Sequence, residues 1–187
     1  MVNAKGPVLR WAAEWAVILV IALVGTLLLR TFVFSPYVVP TGSMEPTIQI
    51  GDQVFAEKVS LELGQPVQVG DIVVFENPDA SSEHEVLVKR VVATEGQTVD
   101  LRNGQLYIDG ERVEDPYASG NSYPLTVQAP GMELSYPYTV PAGHVWMMGD
   151  NRENSADSRY FGPVPIENLE AKVLFRYWPL NRLGAID

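Results

Sequence analysis

From Trp11 to Leu29 the chain is almost wholly apolar. As a helix these ~19 residues extend roughly 29 Å at about 1.5 Å per residue, the thickness of a bilayer core. The pattern predicts a transmembrane anchor over residues 11–30. Glu14 lies one turn inside its start, within reach of headgroups. Trp11 and Trp15 are placed for an interfacial belt, and Arg30 for snorkelling at the far end. A cleaved secretory signal has a shorter apolar stretch followed by a small-residue cleavage site. Here Leu29-Arg30-Thr31-Phe32-Val33-Phe34 follows instead, which favours the anchor. A buried core helix fits less well, because so small a domain could hardly surround a helix this apolar. Lys5, Arg10 and the terminal amine precede the segment, and acidic residues predominate after it. The positive-inside rule therefore puts residues 1–10 in the cytoplasm and residues 31–187 outside it.

Beyond Phe34 the pattern changes to short β-branched runs punctuated by turns, among them Asp71-Ile72-Val73-Val74-Phe75 and Val86-Leu87-Val88-Lys89-Arg90-Val91-Val92. Such runs predict strands, so the fold class is mainly β, an antiparallel sheet domain behind one helix. Asn103-Gly104 and Asp109-Gly110 tolerate positive φ and predict two tight hairpin turns flanking Gln105-Leu106-Tyr107-Ile108, in a meander. From Asp115 to Pro141 the chain is richer in Pro, Gly, Ser and Tyr, which points to irregular structure or an appended lobe.

Composition narrows the chemistry. A chain of 187 residues has room for the anchor and one modest globular unit, with at most a small second lobe. The formal charge of -10 repels phosphate backbones, and without a basic patch nucleic acid is excluded as a partner. Cysteine is absent, which removes disulfides, thiol proteases and cysteine-ligated metals. Only His84 and His144 are available for a histidine base or a metal ligand.

A serine nucleophile activated by something other than histidine is the alternative. Pro40-Thr41-Gly42-Ser43-Met44-Glu45-Pro46-Thr47 holds a serine between turn-formers just past the anchor. Gly42 allows close backbone approach and Pro46 stiffens the exit, so Ser43 has the setting either of a displayed nucleophile or of an ordinary turn. Lys89 interrupts an apolar run. Turned inward it is desolvated and becomes a base; turned outward it is a plain strand lysine, with Arg90 pointing the other way. The stretch Met147 to Tyr160 packs charges, hydroxyls and turn-formers beside Val145-Trp146. It reads either as a polar network, with Asp157 paired to Arg159 and Ser155 bonding an amine, or as a solvated loop.

Taken together, the anchor, PTGSMEPTIQIGD, GDIVVF, VKRVVATEGQTV and MGDNRENSADSRYFGPV resemble, in order, the successive blocks of the bacterial type I signal peptidases. The resemblance implies a membrane-bound Ser-Lys serine endopeptidase that removes signal peptides from preproteins, cleaving after small residues in an Ala-X-Ala pattern, with no metal or cofactor. It implies Ser43 as nucleophile, Lys89 as general base and Ser155 as the residue orienting the amine. The Ser43 amide and the Thr41 hydroxyl form the oxyanion hole in this reading, although relatives carry serine or glycine at the position of Thr41. Asp157 and Arg159 are the structural ion pair and Arg90 a supporting residue. Tyr37, Val39, Met44, Ile48, Leu87 and Val88 match positions lining shallow apolar pockets. An extended substrate adds along the sheet edge with alternate side chains in those pockets. The short spacing from Lys89 to Gly149 implies a reduced second lobe at about residues 100–141. The lipid bilayer is the second partner, and either the cell (inner) membrane or a thylakoid membrane fits. A self-cleaving SOS-type repressor shares the Ser-Lys β core but has no membrane anchor, and residues 1–42 do not accommodate its DNA-binding domain. A membrane-tethered β scaffold is the non-enzymatic alternative.

Overall fold

The computed structural model describes residues 5–32, 34–80 and 82–186, with side chains from 10 to 27 and from 35 onward. Helix α1, Lys5–Phe32, runs beyond both expected ends of the apolar segment. Nothing in its flanks breaks a helix, since Pro7 falls in the first turn where its missing N–H costs nothing. Its 28 residues extend about 42 Å. Described side chains along it are almost all exposed, and the window Arg10–Leu27 is long and apolar enough to cross a membrane. Trp11 and Trp15 meet edge to face at 6.1 Å between ring centroids. The terminal amine and the side chains of Lys5 and Arg30 lie outside the described residues.

In chain order there follow β1 (Phe34–Val38), β2 (Gln53–Glu57), the one-turn α2 (Val59–Glu62), β3 (Ile72–Glu76) and β4 (Val86–Thr94). Then come β5 (Thr98–Arg102), β6 (Gln105–Ile108), β7 (Glu111–Arg112), β8 (Tyr138–Thr139) and β9 (His144–Met148). The chain ends with α3 (Ser158–Phe161), β10 (Val164–Pro165), β11 (Leu169–Trp178) and β12 (Gly184–Ala185). The large sheet is antiparallel throughout, ordered β1-β2-β11-β3-β4-β9-β10 with β12 added to β11. The small sheet is ordered β7-β6-β5-β8. It forms a small β lobe whose strands run from Thr98 to Thr139. Its hairpins turn at Asn103-Gly104 and Asp109-Gly110, with φ of 51° and 77°, then 52° and 84°. Both turns are the left-handed type that two-residue hairpins require. The arrangement departs from a plain meander in that β8 returns from residue 138 to pair with β5. Residues 115–137 hold no strand.

Alternation along β3 distributes its apolar side chains to two cores, as a strand covered on both faces demands. Ile72 and Val74 join Val39, Met44, Ile48, Val54, Ala56, Ala171 and Val173 on one face. Val73 and Phe75 join Val91, Val145, Met147, Phe161 and Val164 on the other. A third cluster around Trp146, with Val92, Val99, Leu101 and Leu106, joins the small sheet to the large one.

Candidate active site

Ser43 lies in the loop between β1 and β2, which closes on itself through Gly51 N to Val39 O at 2.8 Å and Val39 N to Asp52 O at 3.0 Å. A turn at Gly42–Glu45 and the Ile48 N to Met44 O bond at 2.9 Å give the loop its internal shape. Met44 and Ile48 anchor it by burying in the first core. The loop is thus fixed on both sides of the serine.

Lys89 lies mid-strand on β4, on the face shared with Leu87 and Val91 by strand alternation. It is 2% exposed, so the inward of the two orientations is the one observed. Its Nζ donates to Ser43 Oγ at 2.8 Å and to the Val88 carbonyl at 3.1 Å. Burial lowers its pKa from the ordinary 10.5 to about 8, against the opposing charges of Asp157 and Asp150. A fraction of the lysine is therefore neutral near pH 7 to 8, where it can accept a proton.

Arg90 takes the opposite face of β4 yet is also buried, because it is fully partnered rather than hydrated. Its Nε and Nη2 both grip Asp150 at 2.9 Å, its Nη1 donates to Gly70 O at 3.0 Å, and its guanidinium lies 3.8 Å over the Tyr117 ring. Asp157 and Arg159 form the expected pair, with Nε and Nη2 contacts of 2.9 and 2.8 Å. Asp157 also accepts from the Gly149 amide at 3.1 Å and caps α3 through the Arg159 amide at 3.1 Å. Within residues 149–159, Asp150, Arg152, Asp157, Ser158 and Arg159 are buried and hydrogen-bonded, while Glu153, Asn154 and Ala156 are exposed.

Ser155 does not make the bond expected of it. Its Oγ is buried with no hydrogen-bond partner among the described residues, in the space a Cβ on Gly149 would claim. Such a Cβ would also collide with the Ser43 carbonyl oxygen, so Gly149 lets Ser155 and Ser43 lie close to one another. Thr41, Gly42, Ser43 and Lys89 line a cleft of about 230 Å³, whose remaining wall includes Leu87, Ala156, Phe161 and the polar Asn77, Asp79, His84 and Tyr160. Of the six expected pocket residues, Leu87 lines this cleft. Val39, Met44 and Ile48 are buried in the first core, and Tyr37 and Val88 pack against it. His144 is turned to its own loop, its Nδ1 against Ala142 O at 2.8 Å. Among the described residues no cluster of His, Asp and Glu is arranged to hold a metal ion.

Residues 12–178 match the family model described as signal peptidase, peptidase S26. The chain belongs to that family. It is a serine endopeptidase by that membership, as the resemblance of its blocks indicated. A probable signal peptidase I-1 of Synechocystis is 40% identical over 90% of this chain and 84% of its own length. A signal peptidase I of Bacillus caldolyticus is 36% identical over 91% of this chain and 93% of that protein. Thylakoidal processing peptidase 1 of Arabidopsis thaliana is 37% identical over 87% of this chain, which spans 47% of that protein's length. The crystal structure of a signal peptidase I from Enterococcus faecalis aligns at a TM-score of 0.45 and 31% identity, over 57% of this chain and 96% of that one.

Three family positions were not assigned a role from sequence. The Asn151 backbone N–H donates to Ser43 O at 3.0 Å and its Nδ2 to Gly42 O at 3.2 Å, clamping the backbone at Ser43. Asp150 accepts the Thr47 hydroxyl at 2.5 Å in addition to Arg90. Gly149 supplies the close approach already described. Their only signal was the density of turn-formers and charges between Met147 and Tyr160, which marks a network without saying which member touches the serine.

Proposed function

We propose that this chain is a membrane-anchored signal peptidase that removes N-terminal signal peptides from exported preproteins, with Ser43 as nucleophile and Lys89 as general base. The observation that carries the reading is the 2.8 Å contact between Ser43 Oγ and a buried, pKa-depressed lysine amine. In its neutral form the amine takes the hydroxyl proton as Oγ attacks the scissile carbonyl. The oxyanion forms against the Ser43 amide and the Thr41 hydroxyl, where one well-aimed donor is worth about 3 to 4 kcal/mol. The protonated amine gives its proton to the leaving mature chain, then activates the water that hydrolyses the acyl-enzyme. The family resemblance assigns Ser155 to orienting the amine; its hydroxyl is buried beside Gly149 but makes no hydrogen bond to Lys89 in this structure.

The cleft, with Leu87 in its wall, suits small residues at the cleavage site, consistent with an Ala-X-Ala pattern. Helix α1 anchors the protein in the bilayer with residues 1–10 on the cytoplasmic side and the catalytic domain from residue 31 beyond it, in a cell or thylakoid membrane. The test is to incubate the detergent-solubilised protein with a model preprotein and sequence the new N-terminus. Cleavage after Ala-X-Ala by the native protein is expected, with at least about 10³-fold loss in a folded Ser43→Ala variant. Undiminished cleavage by that variant sinks the mechanism.

A further inference from the structure

A continuous series of polar contacts runs from the small lobe to the nucleophile loop. Residues 115–122 pass alongside the 149–152 segment, where Ser119 and Asn151 form a parallel bridge. The Ser119 amide donates to Asp150 O at 2.7 Å and its carbonyl accepts from the Arg152 amide at 2.8 Å. Buried Arg152 ties the two segments again, through Nε to Gly149 O at 2.9 Å, Nη1 to Ser122 Oγ at 2.9 Å, and Nη2 to the Asp115 carboxylate. Tyr117, at the crest of the strap, lays its ring against the Arg90 guanidinium. On their other side the same residues reach the reacting groups. Asp150 holds Thr47, Asn151 holds the Gly42 and Ser43 carbonyls, and Arg90 is the direct neighbour of Lys89 on β4.

We infer that the 115–122 strap of the reduced lobe is a positioning element for the Ser43/Lys89 dyad, acting through Tyr117 on the Arg90–Asp150 pair. The inference rests on the dyad reading proposed above. Tyr117 covers a guanidinium that would otherwise face water, and a cation over an aromatic face gains most where water is excluded. Two carboxylates bear on the Lys89 amine, Asp157 and Asp150. Each is neutralised by its own arginine, Arg159 and Arg90. The Ser43 hydroxyl and Val88 carbonyl complete the polar groups on the amine. Removing the ring admits water to the Arg90–Asp150 pair. Water reaching the pair leaves the lysine less fully desolvated, which favours the charged amine.

The test uses the full chain in detergent with the preprotein assay, comparing Tyr117→Phe and Tyr117→Leu, with Lys89→Ala and Ser43→Ala in parallel. Tyr117 is 37% exposed and lies outside the three core clusters, so these variants fold, and thermal melting checks that they do. Tyr117→Phe keeps the ring face and is expected to retain native kcat and pH profile. Tyr117→Leu is expected to lose about tenfold in kcat with KM changed less than about twofold, and to move the acidic limb of kcat/KM to higher pH. A role confined to lobe packing lowers the melting temperature and leaves that limb where it was. Native kcat and limb in Tyr117→Leu, or equal defects in the Phe and Leu variants, overturn the strap. If Lys89→Ala retains activity in the same assay, the dyad reading itself fails and the strap falls with it.

Discussion

The buried lysine proposed as the base also destabilises the fold that holds it. Lys89 titrates near 8 when folded and near 10.5 when unfolded, because burial disfavours the ammonium. Between those values the unfolded chain binds more protons, so stability rises with pH through that window, and below about 8 the cost is constant. The lowering from 10.5 to about 8 corresponds to about 3 kcal/mol. Lys89→Met is therefore expected to abolish cleavage and to raise unfolding free energy near pH 7 by up to about that amount, with the gain vanishing above about pH 10. Denaturant melts of both proteins at pH 7 and pH 10.5 check it, and a variant less stable at pH 7 refutes it. The same titration gives kcat/KM an acidic limb that rises to a plateau above about pH 8, since only the neutral amine accepts the serine proton. His84→Ala and His144→Ala are expected to leave that limb in place. Loss of cleavage in either, with Lys89→Ala active, would move the base from lysine to histidine. At Ser155 the two contributions separate differently. Its hydroxyl is buried without a partner, so Ser155→Ala removes a desolvated polar group. We expect an unchanged or higher melting temperature together with weakened kcat, short of the full loss at Lys89; a melting temperature lowered by several degrees would show that the hydroxyl is structurally bonded.

At the scale of elements, two irregular segments set the geometry, the loop carrying Ser43 and the segment from Gly149 to Arg159, while β4 presents the base. The strand was readable because Val86 to Val92 is apolar and β-branched, and its two possible faces for Lys89 were also readable. Which face is core was not, because that depends on β9 pairing with β4 from some 55 positions away, and on Asp150 being there to satisfy Arg90. The hairpins at Asn103-Gly104 and Asp109-Gly110 were legible for a local reason, the left-handed backbone their residues tolerate. β8 was not, since two residues joining β5 across an irregular stretch leave no periodicity to read. The family blocks named Ser43, Lys89, Asp157 and Arg159, and the structure adds Gly149 as the point where their segments touch. Gly149→Ala is expected to lose at least about 10²-fold in kcat/KM, because its Cβ has no room between Ser155 and the Ser43 carbonyl, and a ~1 Å displacement of a reacting group has that cost. Combining it with Ser155→Gly removes the collision with Ser155 but leaves that with the Ser43 carbonyl, so the activity is expected to stay low. Native kinetics in Gly149→Ala would show that the two segments are free to separate.

At the scale of the whole molecule, the apolar surface of α1 is almost entirely uncovered along its described length, which is long and apolar enough to cross a membrane. The catalytic domain carries its own three cores and its own ion pairs, all built from residues beyond 34. Folding of the site therefore does not call on the helix. In the proposed reading what the helix contributes is location, because a tether converts the encounter with a membrane-inserted preprotein into a reaction on the same surface at raised effective concentration. A chain beginning at Thr31 is accordingly expected to cleave a soluble peptide substrate with the kcat/KM of the full protein. On a preprotein inserted in liposomes it should be slower by at least about tenfold, with full-length protein reconstituted in the same liposomes as the reference. Comparing the two substrates isolates tethering from chemistry. A truncated chain slow on both would mean that α1 shapes the active site, and one as fast as the full chain on both would mean that the anchor gives no kinetic advantage.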